Sequence, residues 1–128
     1  MAGKIRGIEQ FRAKTAYDFV KSVADSQLND KAKGKYKSNT KKLPIYIKTN
    51  GLGQSLAFIR KREGWDKIYE QLTNWFQQNN FIPSGKDLVE EVIPQMESDL
   101  YRHMTKECLA FLNWMRRFVD GLIDVEES

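Results

Sequence analysis

An all-α fold, one compact domain over residues 1–128 built as a bundle of five to seven helices, is predicted by three observations. Trp65, Ile68, Tyr69, Leu72, Trp75 and Phe76 recur at i, i+3, i+4, i+7, i+10 and i+11, the spacing of one helix face. Tyr101, Met104, Cys108, Phe111, Leu112, Met115, Phe118, Val119 and Leu122 form a second, longer stripe of the same period. No segment sustains the period-two alternation of a half-buried strand; only 43–47 is β-friendly, and Pro44 weakens it. With 128 residues, 41% of them hydrophobic, the chain is long and apolar enough to bury one core without staples.

In chain order, Ala13, Ala16, Tyr17, Val20, Val23 and Ala24, flanked by Ile8 and Phe19, predict an amphipathic helix over about 4–27. Lys14, Asp18 and Lys21 fall on its solvated face. Residues 25–35 lose the pattern and gather Asn, Asp, Ser and Gly, so a mobile, lysine-rich connection is expected there. From Tyr36 the chain is helical in composition up to Pro44, which suits a first turn; one helix is expected to end near Lys42 and another to begin near Pro44. Ile45, Thr49, Leu52, Leu56 and Ile59 share a face across Asn50-Gly51 and Gly53, which predicts a helix kinked at those small residues. After the helix at 65–78, Ser84 and Asp87 resemble a capping box ahead of a short helix carrying Leu88, Val89, Val92 and Ile93 and stopping at Pro94. The last helix starts near Glu97 or Ser98, with a local restart at Thr105 allowed, and Gly121 is expected to close it before an acidic tail.

The charge is strongly asymmetric. Residues 31–62 hold ten Lys and Arg and no Asp or Glu, residues 1–30 hold five basic and four acidic, and residues 63–128 hold six basic and thirteen acidic. The modest net charge of +4 therefore hides a band of +10 facing a half of −7, and such a band is what a polyanion would feel. Lys31, Lys33, Lys35, Lys37, Lys41, Lys42, Lys48, Arg60, Lys61 and Arg62 make up the band; Arg116 and Arg117, beside Trp114, form a second cluster suited to phosphate or to ion pairs with a neighbouring subunit. Small polar residues among the lysines let side chains and backbone amides reach phosphates without reading bases. Tyr36 and Tyr46 could stack on bases, with core packing the expected role of Tyr46, which neighbours two isoleucines.

Chemistry is poorly represented. His103 is the sole histidine, which excludes a His-pair metal site, and it stands five residues from Cys108, so the two side chains point about 140° apart on a helix. A buried small hydrophobe and a surface imidazole are expected instead. Glu90-Glu91 and Glu97-Asp99 read as solvated carboxylates, and Gly51-x-Gly53 lacks the strand and third glycine of a nucleotide loop. No catalytic residue, metal or cofactor is expected. One cysteine allows no internal disulfide, and with no signal peptide or membrane span in sight a cytoplasmic location is expected.

Two passages, Lys41-Lys-Leu-Pro-Ile-Tyr-Ile-Lys-Thr-Asn-Gly-Leu-Gly-Gln-Ser-Leu-Ala-Phe58 and Tyr101-Arg-His-Met-Thr-Lys-Glu-Cys-Leu-Ala-Phe-Leu-Asn-Trp-Met-Arg-Arg-Phe118, resemble the small α-helical subunit of the type III-B CRISPR (Cmr) RNA-guided effector complex. Arg12-Ala-Lys-Thr-Ala-Tyr17 fits the same family, and the Leu-Pro-x-x-Ile-x-x-Asn-Gly-Leu pattern favours it over the small subunit of type III-A complexes. The resemblance implies a non-catalytic subunit in antiviral defence. Copies would stack head to tail as a minor filament beside backbone subunits that carry the guide RNA, and a basic face would help hold target RNA. Its partners would be other Cmr subunits, the guide-bearing backbone and the target. The alternative is a pure scaffold whose lysines face acidic partner subunits without touching RNA. Lys41, Lys42, Lys48, Arg116 and Arg117 stand inside the matching passages; Lys35, Lys37, Arg60, Lys61 and Arg62 rest on charge alone.

Overall fold

The computed structural model describes residues 2–128, with side chains from Gly7 onward. Five α-helices make up the chain: α1 (Ala2–Ala24), α2 (Asp30–Asn50), α3 (Leu52–Ile59), α4 (Asp66–Gln78) and α5 (Ser98–Leu122). A π-helical turn (Leu88–Val92) and a 3-10 turn (Ile93–Gln95) join α4 to α5, and the described residues hold no strand.

The two stripes that predict the fold class form its core. Met104, Cys108, Phe111, Leu112, Met115 and Val119 of α5 are buried, as are Ile68, Leu72, Trp75 and Phe76 of α4. Trp75 stacks on Phe111 at 4.4 Å between ring centroids and 13° between planes. Helix α5 packs most extensively on α1 and next on α2. Arg12 meets Glu107 and Tyr17 meets Phe118, so α1 and α5 run in the same sense. Gly53, just past α2, meets Tyr101, whereas Lys41 meets Asp120, so α2 runs opposite to α5. Buried polar groups stitch the layers: the Tyr36 hydroxyl donates to Gln71 Oε1 (2.7 Å), whose Nε2 donates to the Phe19 carbonyl (3.2 Å). Arg12 donates to both carboxylate oxygens of Glu107 (2.7 and 2.9 Å), and Trp75 Nε1 donates to the same carboxylate (3.2 Å), tying α1, α4 and α5.

Helix α2 departs from expectation in both directions. The connection is confined to 25–29, because the Asn29 side chain accepts the Ala32 N–H at 2.8 Å and starts the helix at Asp30. The expected break at 42–44 is absent, and Pro44 lies inside the helix. An interior proline costs about 3 kcal/mol, since the carbonyl four residues back, on Thr40, loses its N–H partner. Tyr36, Thr40, Leu43 and Ile47 nevertheless form one buried stripe that passes straight through Pro44. Burying Leu43 and Ile47 contributes roughly 1.5–3 kcal/mol each, enough to outweigh the proline.

Elsewhere the boundaries shift for local reasons. Gly51 adopts φ 88°, a conformation glycine takes without strain, so the expected kink is a full break between α2 and α3. Gly53 is small because a side chain, not a backbone, approaches it: the Tyr101 hydroxyl accepts the Gly53 N–H at 2.7 Å, satisfying a free amide in the first turn of α3. The capping box does not form; Asp87 itself caps the π turn by accepting the Glu90 N–H at 2.9 Å. Helix α5 has no restart at Thr105, whose hydroxyl donates to the Tyr101 carbonyl, and it runs past Gly121 to Leu122, where buried Ile123 turns the tail back over α2.

Two substitutions test this core. Phe111→Ala removes the ring under Trp75 and is expected to lower stability by about 3–5 kcal/mol in denaturant unfolding. Ser55, buried on α3 with an Oγ that finds no hydrogen-bond partner among the described residues, is expected to behave oppositely, with Ser55→Ala neutral or stabilising.

Candidate nucleic-acid interface

A helix of about 100° per residue sorts the lysines of α2 into two lines. Lys33, Lys37, Lys41 and Lys48 follow one; Lys31, Lys35 and Lys42 follow the other, about 135° around the helix.

The first line runs from the end of α1, at Lys33, across the C-terminal tail, at Lys37 and Lys41. Lys33 Nζ donates to the Ala24 carbonyl (2.8 Å), and Lys37 Nζ to the carbonyls of Ile123 (2.9 Å) and Val125 (3.3 Å). Lys41 pairs with Asp120 (2.9 Å) and Glu127 (2.8 Å). The tail lies flat here because residue 34 is glycine: Ser128 N–H donates to the Gly34 carbonyl (3.3 Å), and a Cβ on Gly34 would collide with the Glu126 carbonyl. Its hydrogen bonds to Glu127 and Asp120 push the pKa of the Lys41 ammonium above its ordinary value. The Lys41 hydrogen bond, helped by the charges of Lys37 and Arg116, holds the Asp120 carboxyl below its own. Lys48 continues the line past the tail and is exposed, as are Arg116 and Arg117 on α5.

The second line faces outward and meets the α3–α4 loop. Lys31, Lys35, Lys42, Lys61 and Arg62 are exposed, and none has an ion-pair partner among the described residues. The loop is held at both ends. Arg60 pairs with Asp87 (3.1 Å) and Glu90 (2.8 Å), and Asn39 Nδ2 donates to the Gly64 carbonyl (2.8 Å). Burial works against the Asp87 charge, but the Glu90 N–H, the Tyr69 hydroxyl and Arg60 hold its carboxyl below the ordinary value. Between these anchors Lys61 takes a left-handed conformation, φ 60°, which turns the chain outward at Arg62.

Three rings from three elements meet beside this loop. Tyr46 of α2, Phe58 of α3 and Trp65 at the start of α4 lie 5.7 to 6.1 Å apart, Phe58 edge-on to both others. Phe58 is 46% exposed and neighbouring Ile45 on α2 62% exposed, large values for such side chains. The Arg62 guanidinium covers one face of Phe58 at 4.2 Å while its Nε donates to the Phe58 carbonyl. Both tyrosines pack against the core: Tyr36 is buried in it, where burial pushes its hydroxyl pKa up, and Tyr46, for which core packing is expected, is partly buried against it.

Cys108 is fully buried, and burial pushes its thiol pKa up, away from a reactive thiolate. His103 is exposed and lies against Phe81 at 5.3 Å. No group of three or more His, Cys, Asp or Glu among the described residues could hold a metal ion, and no helix among them is long and apolar enough to cross a membrane. A depression of about 530 Å³ opens between Phe81, Pro83, Val92, Met96 and Leu100, in the α4–α5 connection.

Residues 8–122 match the family described as CRISPR-associated protein Cas_Cmr5. The chain belongs to this family. A relative from Thermus thermophilus, named CRISPR system Cmr subunit Cmr5, is 30% identical over 122 residues, covering 94% of this chain and 99% of the relative. The crystal structure of a CRISPR-associated Cmr5 family protein from the same organism superposes with a TM-score of 0.73 at 29% identity, covering 91% of this chain and 97% of that one. The match runs from within α1 to the end of α5 and includes every cation of the basic band, whereas the tail groups Ile123, Val125 and Glu127 that meet Lys37 and Lys41 lie beyond it.

Sequence reasoning places the basic band but misses two features. The acidic tail carries no sign that it folds onto Lys37 and Lys41, because that contact runs over about ninety residues and uses carbonyls as much as carboxylates. Phe58 was open to detection: it stands off the Leu52, Leu56, Ile59 stripe and immediately precedes a buried residue and three consecutive cations.

The tail contact is expected to depend on pH with a definite sign. A carboxyl held below its ordinary value stabilises the fold above that value, and the contribution is lost as pH falls from about 3.8 through the lowered folded value. Asp120 is half exposed, so Asp120→Asn is expected to cost only about 0.5 kcal/mol at neutral pH. The difference from wild type should shrink as pH falls below about 3.8 and vanish once Asp120 is protonated in the folded protein, as read by thermal unfolding.

Proposed function

We propose that this chain is a non-catalytic small subunit of a type III-B Cmr effector, working in cytoplasmic antiviral defence, and that its outward basic face helps hold target RNA by phosphate contacts. Copies stack head to tail as a minor filament beside the subunits that carry the guide. The reading is supported by family membership and, above all, by one observation: Lys31, Lys35, Lys42, Lys61 and Arg62 stand exposed on one side without ion-pair partners among the described residues. Specificity then comes from guide pairing, and the protein supplies backbone electrostatics. The name of the Thermus relative, a Cmr subunit, supports the assembly role. Exposed Glu91, Glu97 and Asp99, in the connection before α5 and its first turn, offer an acidic surface for the basic face of a neighbouring copy, a head-to-tail contact that need not close. Lys37, Lys41 and Arg60 act differently on this reading: they hold the tail and the α3–α4 loop in place.

RNA binding against salt concentration tests it. Neutralising Z single-strand phosphates gives a log-log slope of roughly −0.7Z. Lys35→Gln, Lys42→Gln and Lys61→Gln together are expected to flatten the slope by about 2 while the protein still joins the complex. An unchanged slope with loss of assembly would make these lysines subunit contacts and favour the scaffold role.

A further inference from the structure

We propose that the Phe58–Arg62 pair is a stacking site for an unpaired nucleobase, so that this surface takes single-stranded RNA by its rings as well as its phosphates. The inference rests on the RNA-binding reading above and adds a ligand feature to it.

Four observations carry it. Phe58 keeps 46% of its surface exposed although α3 has buried positions at Leu52, Leu56 and Ile59, so exposure is built into the helix phase rather than forced by a lack of core. The ring is fixed: Tyr46 and Trp65 pack against it at 6.0 and 6.1 Å, and the loop that follows is anchored through Arg60–Asp87 and Asn39–Gly64. The Arg62 guanidinium lies over one ring face, its Cζ 4.2 Å from the centroid, so a planar cation stands on the aromatic ring. Exposed Lys61 precedes Arg62 in the loop, exposed Lys42 lies one helical turn before Tyr46 on α2, and exposed Lys35 runs beside Gly64 at the far end of the loop. Planar groups of this kind take bases, and the surrounding cations select a polyanion that carries rings. The carboxylates near the loop are exposed Glu63 within it, exposed Asp66 just after it, and Asp87 and Glu90, which are taken up by Arg60. A paired base hides its faces in the helix stack, so the site selects an unpaired one. A wholly apolar partner would leave Arg62 and the lysines to be desolvated without compensation, which argues against a hydrophobic protein segment here.

The test measures affinity of the 128-residue chain for two probes of equal length, an oligouridylate and an abasic oligoribonucleotide, with wild type, Phe58→Ala and Phe58→Tyr. Base stacking is worth about 1–3 kcal/mol per base by alanine substitution, so Phe58→Ala is expected to weaken oligouridylate binding roughly 5- to 150-fold. Phe58→Tyr should restore it. The abasic probe should bind wild type and Phe58→Ala alike, at about the level Phe58→Ala shows for oligouridylate. Thermal unfolding of each variant confirms that the half-exposed ring is not holding the fold. Equal oligouridylate binding by wild type and Phe58→Ala, with a salt slope intact, would overturn the stacking site and leave phosphate contact standing. Absence of RNA binding in every form would overturn both. Capture of an acidic Cmr subunit, lost in Phe58→Ala while oligouridylate binding is kept, would make the patch a protein contact and overturn the stacking site.

Discussion

The structure depends on α2 running unbroken through Pro44. Tyr36, Thr40, Leu43 and Ile47 bury one continuous stripe across the proline, and their burial outweighs the hydrogen bond that Pro44 removes. Once that helix is continuous, its period decides where every lysine goes. Lys33 turns to the end of α1, those at 37 and 41 turn toward the chain's own tail, and those at 31, 35 and 42 turn to solvent. A break at 42–44 would have given the two halves independent phases and scattered the charge. The division of the basic band into a structural side and an open side is therefore a consequence of core packing.

The open side is also kept in shape. Arg60 is the only cation of its loop consumed by carboxylates among the described residues, and in being consumed it fixes the backbone from which Lys61 and Arg62 project. Asn39, buried on α2, holds the other end through the Gly64 carbonyl. Cations presented from an anchored loop lose less freedom on meeting a ligand than the same cations on a mobile one. The Arg12–Glu107–Trp75 contact plays the matching role within the bundle, where its charges tie three helices together.

Long-period packing is legible in the sequence, and long-range pairing is not. The stripes at 65–78 and 101–122 give α4 and α5 nearly to the residue, because an amphipathic helix writes its buried face into local spacing. The α2 stripe is written the same way, but Pro44 and the polar composition of 25–35 mask it: local propensity points to a break where tertiary burial decides for a helix. The burial of Tyr36, open in sequence to a surface stacking role, follows from the same unbroken stripe. The tail's contact with Lys37 and Lys41 has no local signature, and the short turns at 88–95 replace a predicted helix because Asp87 caps one turn and Pro94 limits the next.

The central claim is that the outward lysines meet RNA and the tail-facing ones do not. Lysine acetylation footprinting with mass spectrometry, on the protein with and without single-stranded RNA, tests it residue by residue. The account predicts that Lys35, Lys42 and Lys61 react readily in the free protein and are protected by RNA, while Lys37 and Lys41 react slowly in both states. Protection confined to Lys37 and Lys41, or no protection at Lys35, Lys42 and Lys61, would contradict it.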